Sequence, residues 1–93
     1  MQTRGRIGWR RAVWVQQRDY VAVGAILAAV RKRAGITQRR LASLLRKPQS
    51  FVSSFERGQR RIDLLEFLRI VDAIGADPTR VFRQVLRNQG RAR

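Results

Sequence analysis

Apolar residues recur at helical spacing along the chain, and single glycines or prolines break the pattern at regular points. Val23, Ile26, Leu27, Val30 and Ala34 fall at offsets 0, 3, 4, 7 and 11, one face of an α-helix. The spacing predicts a first helix over 19–34, with Gly35 as its left-handed stop. Thr37 can cap a second helix over 37–45 that buries Leu41, Ala42 and Leu45. Pro48 suits the first turn of a third helix over 48–57, which Gly58 ends. Asp63 and Glu66 form a capping-box pair for a fourth helix over 63–74, with a core face of Leu64, Phe67, Leu68, Val71 and Ile74 and a stop at Gly75. Asp77-Pro78 opens a fifth helix over 78–88 carrying Val81, Phe82, Val85 and Leu86. No alternating strand pattern occurs, so the expected class is all-α. Residues 89–93 read as a basic, frayed tail.

Residues 1–18 differ from the rest. Arg4, Arg6, Arg10, Arg11 and Arg18 are interleaved with Gly5, Gly8, Trp9 and Trp14. This stretch reads as a basic arm outside the 19–88 domain. It is either poorly ordered, or upstream of the true start, or an arm that follows nucleic-acid phosphates or enters a groove. Trp9 and Trp14 could also fold back onto the domain.

Composition sharpens the picture. Ninety-three residues allow one domain with a small core, and 44% apolar content is enough to fold it. The net charge is +15, from 21 basic and six acidic residues, which points to a polyanionic partner. All the basic residues except Lys32 and Lys47 are Arg, whose fork suits phosphates and guanine edges. With neither Cys nor His, thiol chemistry, zinc sites and Ser-His-Asp triads are excluded. Asp63 and Asp77 read as helix caps, and no carboxylate cluster suggests acid–base catalysis, a metal or a cofactor. The expectation is a non-enzyme. The longest uncharged run, Tyr20 to Val30, is too short to cross a bilayer, and no cleavage site follows it. A cytoplasmic, nucleoid-associated location is therefore expected.

Two short helices joined through Arg46, Lys47 and Pro48 have the helix-turn-helix layout. Residues 35–58, GITQRRLASLLRKPQSFVSSFERG, closely resemble the Xre/Cro/phage-repressor family. The matching pieces are Gly35-Ile-Thr-Gln38, Leu41-Ala42, Leu45, Pro48 to Ser53 and Glu56-Arg57-Gly58, and the likeness extends over about 20–86. It implies a compact five-helix, lambda-repressor-like domain that binds double-stranded DNA and regulates transcription as a repressor. The family often has Gly where Arg46 stands; an Arg can occupy the turn if its φ need not be positive, so this departure weakens the turn geometry and not the assignment.

The third helix carries the candidate chemistry. With Phe55 at 0° and a step of about 100° per residue, Phe51 at roughly 320° and Val52 at roughly 60° complete a buried arc. Gln49, Ser53, Arg57, Ser50 and Ser54 share the opposite face, which has no acid. By resemblance Gln49 and Ser50 read bases, with Ser54 one turn on. Gln49 could grip adenine in bidentate fashion. Phe51 either packs at the edge of the core or meets a thymine methyl. Gln38, in the family, contacts phosphate and braces the first recognition-helix residue. Arg39, Lys47, Ser53, Arg57, Arg60 and Arg61 are the other phosphate candidates. The resemblance assigns Glu56 a structural ion pair with Arg31.

One recognition helix reads few base pairs, so a homodimer on a pseudo-palindromic operator is expected, joined through Val85, Leu86 and nearby Phe82 or Val81, of which at least one is expected in the monomer core. Two rivals stand beside this reading. One is an antitoxin that binds a toxin protein and represses its own operon. The other is a non-specific nucleic-acid-binding protein, which the charge alone would permit.

Overall fold

The computed structural model describes residues 14–91. Five helices follow one another: α1 (Gln17–Arg33), α2 (Gln38–Leu45), α3 (Gln49–Glu56), α4 (Leu64–Ile74) and α5 (Pro78–Arg91). No strand occurs among the described residues. The helix ends are built from local chemistry. The Thr37 hydroxyl accepts from the Arg40 N–H at 3.0 Å, and Asp77 accepts from the Thr79 N–H at 3.0 Å. At α4 the cap is reciprocal: Glu66 N–H donates to Asp63 at 2.8 Å and Asp63 N–H donates to Glu66 at 3.1 Å. Gly75 takes φ +85° to end α4.

Several boundaries differ from the sequence expectation. α1 starts two residues before Asp19, because the Asp19 carboxylate reaches back to the Gln16 N–H at 2.7 Å and so lies inside the first turn. Pro48 is the residue before α3 rather than part of its first turn. α5 continues through Arg91, past the expected end at 88. The arm expected at 1–18 falls mostly outside the described residues. Of its last members, Gln17 and Arg18 belong to α1, and Trp14 is 83% exposed, so it does not fold back.

The core lies where α1, α2, α3, α4 and α5 converge: Leu27, Val30, Leu41, Ala42, Val52, Phe55, Phe67, Ile70, Val71, Ile74 and Val81. Burying each of the larger side chains stabilises the fold by about 1.5–3 kcal/mol. Two core assignments on α4 are corrected. Leu64 is 66% exposed and Leu68 lies at the margin, whereas Ile70 is buried. α4 carries more apolar residues than one face can hold, and the buried arc centres on Phe67, Ile70, Val71 and Ile74. Ala34 is also exposed, since it caps α1 beyond its last buried turn.

α1 approaches α3 backbone to backbone at Gly24. A Cβ there would lie 2.3 Å from the Phe55 carbonyl oxygen and 2.6 Å from that of Glu56. At the other end of the same contact, the Gln17 amide donates to the Gly58 carbonyl at 2.7 Å. α1 is thereby held along α3, with its N-terminus beside the loop that leaves it.

That loop is closed by Arg60, whose guanidinium meets both oxygens of Glu66 at 3.0 Å. The hydrogen bond from Arg60, helped by the Asp63 N–H, holds the Glu66 carboxyl below its ordinary pKa of 4.5, and the pairing raises Arg60 in return.

Two measurements check these contacts. Gly24→Ala should destabilise the fold by about 2 kcal/mol in urea unfolding, because the methyl group meets backbone. Helix propensity alone would instead stabilise it by about 1 kcal/mol. For Glu66, a pKa lower in the folded than in the unfolded chain means that its stabilisation is complete above pH 4.5 and is lost as pH falls through the lowered value. Unfolding midpoints of wild type and Glu66→Gln should therefore differ at pH 6 and converge on acidification.

Candidate nucleic-acid interface

The turn between α2 and α3 sets the angle of α3. Arg46 takes φ +58° and ψ 45°, the left-handed conformation, so the condition under which an Arg fits this turn without strain is not met. The physical reason is the closure of α2: with Arg46 left-handed, its N–H reaches the Ser43 carbonyl at 3.1 Å and the Lys47 N–H reaches Ala42 at 3.0 Å. These bonds satisfy orphan carbonyls and offset a backbone cost of about 1–2 kcal/mol for a residue with a Cβ.

Behind the interface runs a connected set of polar side chains from three helices. Arg31 on α1 donates Nε to Glu56 Oε2 at 2.7 Å and Nη2 to Glu56 Oε1 at 3.1 Å, with both partners buried. Its Nη1 donates to the Ile36 carbonyl at 2.8 Å, which ties the α1–α2 loop to the same group. The Gln38 amide at the start of α2 donates to Glu56 Oε1 at 2.9 Å. Its own oxygen accepts from Gln49 Nε2 at 3.2 Å. The path Arg31–Glu56–Gln38–Gln49 therefore runs from the core to the exposed first residue of α3. Glu56 has its charge neutralised beside Arg31 and presents no free carboxylate to a polyanion. Gln49 is exposed, and its amide has an acceptor oxygen and a second N–H, the donor–acceptor pair that matches adenine N7 and N6.

The remaining candidates divide by their surroundings. Ser50 is exposed, and Ser53 and Ser54 are half-buried on α3. Arg39 and Arg57 are exposed, and Arg57 makes only a long contact of 3.5 Å to Gln59. Lys47 Nζ lies 5.4 Å from the Phe51 ring centroid. Arg60 and Arg61 have partners within the fold: Arg60 pairs with Glu66, and the Arg61 guanidinium lies 5.2 Å from the Tyr20 ring. Phe51 is half-buried and meets Phe55 edge-on, with centroids 5.5 Å apart. Phe82 on α5 is 47% exposed and touches Phe67 edge-on, while Val85 and Leu86 are half-buried.

Sequence reasoning missed three features. The exposed Leu64, Leu65 and Leu68 on α4 add apolar surface that it had assigned in part to the core. It did not foresee the Arg60–Glu66 pair, although the capping-box position of Glu66 was legible. The Gln17–Gly58 bond links residues 41 apart and has no local signal. Among the described residues no group of acids could hold a metal ion, and no helix is long and apolar enough to cross a membrane.

The comparisons agree with this geometry. Residues 22–83 match the family model of a helix-turn-helix domain. Among solved structures, the chain is similar to an XRE-family like protein from Pseudomonas syringae pv. tomato str. DC3000, at 41% identity and TM-score 0.67 over 73% of this chain and 83% of that one. It is also similar to the restriction-modification controller protein C.AhdI from Aeromonas hydrophila, at 32% identity and TM-score 0.65 over 70% of this chain and 94% of that one. A third likeness is to the clp gene regulator ClgR from C. glutamicum, at 28% identity and TM-score 0.67 over 77% and 91% of the two chains. No curated protein matches the chain. With the matched stretch containing all of α2, the turn and α3, the chain belongs to the Xre-type helix-turn-helix family of DNA-binding regulators.

Proposed function

We propose that this chain binds a specific duplex sequence through α3 and represses transcription by occupying it. The observation that carries this reading is the hydrogen-bonded path from the buried Arg31–Glu56 pair through Gln38 to the exposed Gln49. A side chain on an open surface has no need of a braced rotamer, whereas one that discriminates bases does. Gln49, Ser50 and Ser54 read base edges in the major groove. Gln38, Arg39, Lys47, Ser53 and Arg57 hold phosphates, aided by the outward N–H groups at the start of α2. A bound protomer excludes other proteins from the same DNA, so repression follows from occupancy alone.

The functional unit in this reading is a homodimer on a pseudo-palindrome, with recognition helices about 34 Å apart. Phe82, Val85 and Leu86 supply the interface on α5. On α4, whose Phe67 meets Phe82, leucines 64, 65 and 68 are also exposed.

Titrations on a selected site and on scrambled DNA test the recognition. Log K should fall with log salt by about 0.9 for each phosphate neutralised, with about five to eight contacts per protomer. Gln49→Ala should lose about 1–3 kcal/mol on the preferred site, with little change on scrambled DNA or in the salt slope. Arg57→Ala should weaken both and lower the slope by about one. Equal losses on both DNAs for Gln49→Ala would remove Gln49 from the reading set.

Sedimentation of the DNA complex tests the assembly. Wild type should saturate at two protomers per site, and Phe82→Glu should shift saturation to higher protein concentration. One protomer per site at saturation contradicts the dimer.

A further inference from the structure

Arg60 stands among the basic residues near α3, yet both its terminal nitrogens are committed within the fold. Nη1 donates to the Arg61 carbonyl at 2.6 Å and to Glu66 Oε1 at 3.0 Å, and Nη2 donates to Glu66 Oε2 at 3.0 Å. Glu66 is itself fixed, because its carboxylate also accepts the Asp63 N–H in the α4 cap. The guanidinium carbon lies 4.6 Å from the centroid of the Phe51 ring. Phe51 belongs to the recognition helix and meets the buried Phe55 edge-on. It is half-buried, on the flank of α3 that leads to Ser50 and Ser54. Arg60 is thus paired with Glu66, and its flat face lies on an aromatic ring.

A ring held from behind can meet a base methyl group at a defined place, whereas a ring free to turn loses that contact to disorder. We propose that Arg60 is a positioning residue for base readout: locked by Glu66, it holds the Phe51 ring so that its exposed edge contacts the 5-methyl group of a thymine. This rests on the reading that α3 enters the major groove, and it moves Arg60 from phosphate binding to specificity.

The test uses the full chain and its preferred duplex, obtained by selection from a random pool. Each thymine is replaced in turn by deoxyuridine, which removes only the methyl group. Wild type should lose affinity about fourfold at one thymine in each half-site, the effect of one buried methyl. Phe51→Ala and Arg60→Met should abolish that sensitivity, and Arg60→Met should leave the salt slope nearly unchanged. Arg60→Lys keeps the charge but not the fork or the flat stack, so it should lose the methyl sensitivity too. Glu66→Gln retains the helix cap, frees Arg60 and carries the same expectation should the Arg60 variants fail to fold. Circular dichroism verifies folding of each variant.

Persistence of methyl sensitivity in both Arg60 variants overturns the proposal, as does an Arg60→Met salt slope lower by about 0.9, the mark of a lost phosphate contact. Specific binding by wild type with no methyl-sensitive thymine also overturns it, while leaving the recognition reading intact. A wild-type chain that enriches no sequence fails the recognition reading itself, and this inference with it.

Discussion

The buried pair of Arg31 and Glu56 joins the parts of the domain that must stay in register. Glu56 is the last residue of α3, and Arg31 lies in the last turn of α1. Through one guanidinium the pair reaches α3 and the carbonyl of Ile36, and through one carboxylate it reaches Gln38 at the head of α2. Three helix ends therefore share a single electrostatic knot. Such a pair adds little net stability over apolar residues of the same volume, but losing one partner strands a buried charge at a cost of about 3–5 kcal/mol. Its value lies in orientation: it fixes α2 and α3 relative to each other and to α1.

Steric contact complements the ion pair at the other end of α1. Gly24 lets the α1 backbone close on the carbonyls of Phe55 and Glu56, and Gln17 ties the start of α1 to Gly58. α3 is thus fixed along its length by apolar burial of Val52 and Phe55, by backbone approach and by charge. It is a helix of eight residues, too short to hold its shape alone in water. Tertiary contacts supply the rigidity that its length does not.

A strongly basic surface also has to keep some of its charge from acting indiscriminately. The structure does this with its few acids. Glu56 neutralises Arg31, and Glu66 neutralises Arg60, both close to α3. Arg39 and Arg57, by contrast, are exposed and have no acid partner among the described residues. Glu56 and Glu66 therefore orient cations beside α3.

Much of this was legible in the residues alone. The period of Val23, Ile26, Leu27 and Val30, the caps at Thr37 and Asp63, and the stops at Gly35, Gly58 and Gly75 located the helices within a few residues, because capping and periodicity are local. The helix-turn-helix and the acid-free face of α3 were visible for the same reason. Tertiary structure decided what depends on distance in space. It chose Ile70 over Leu64 and Leu68 as core, because an over-apolar helix is oriented by its neighbours and not by its own pattern. It placed Arg46 in the left-handed region, where the chain closes the orphan carbonyls of α2 before turning into α3. It also made Arg60 a partner of Glu66 and Phe51 instead of a free cation, since spacing along the chain does not reveal which acid or ring a long side chain will meet.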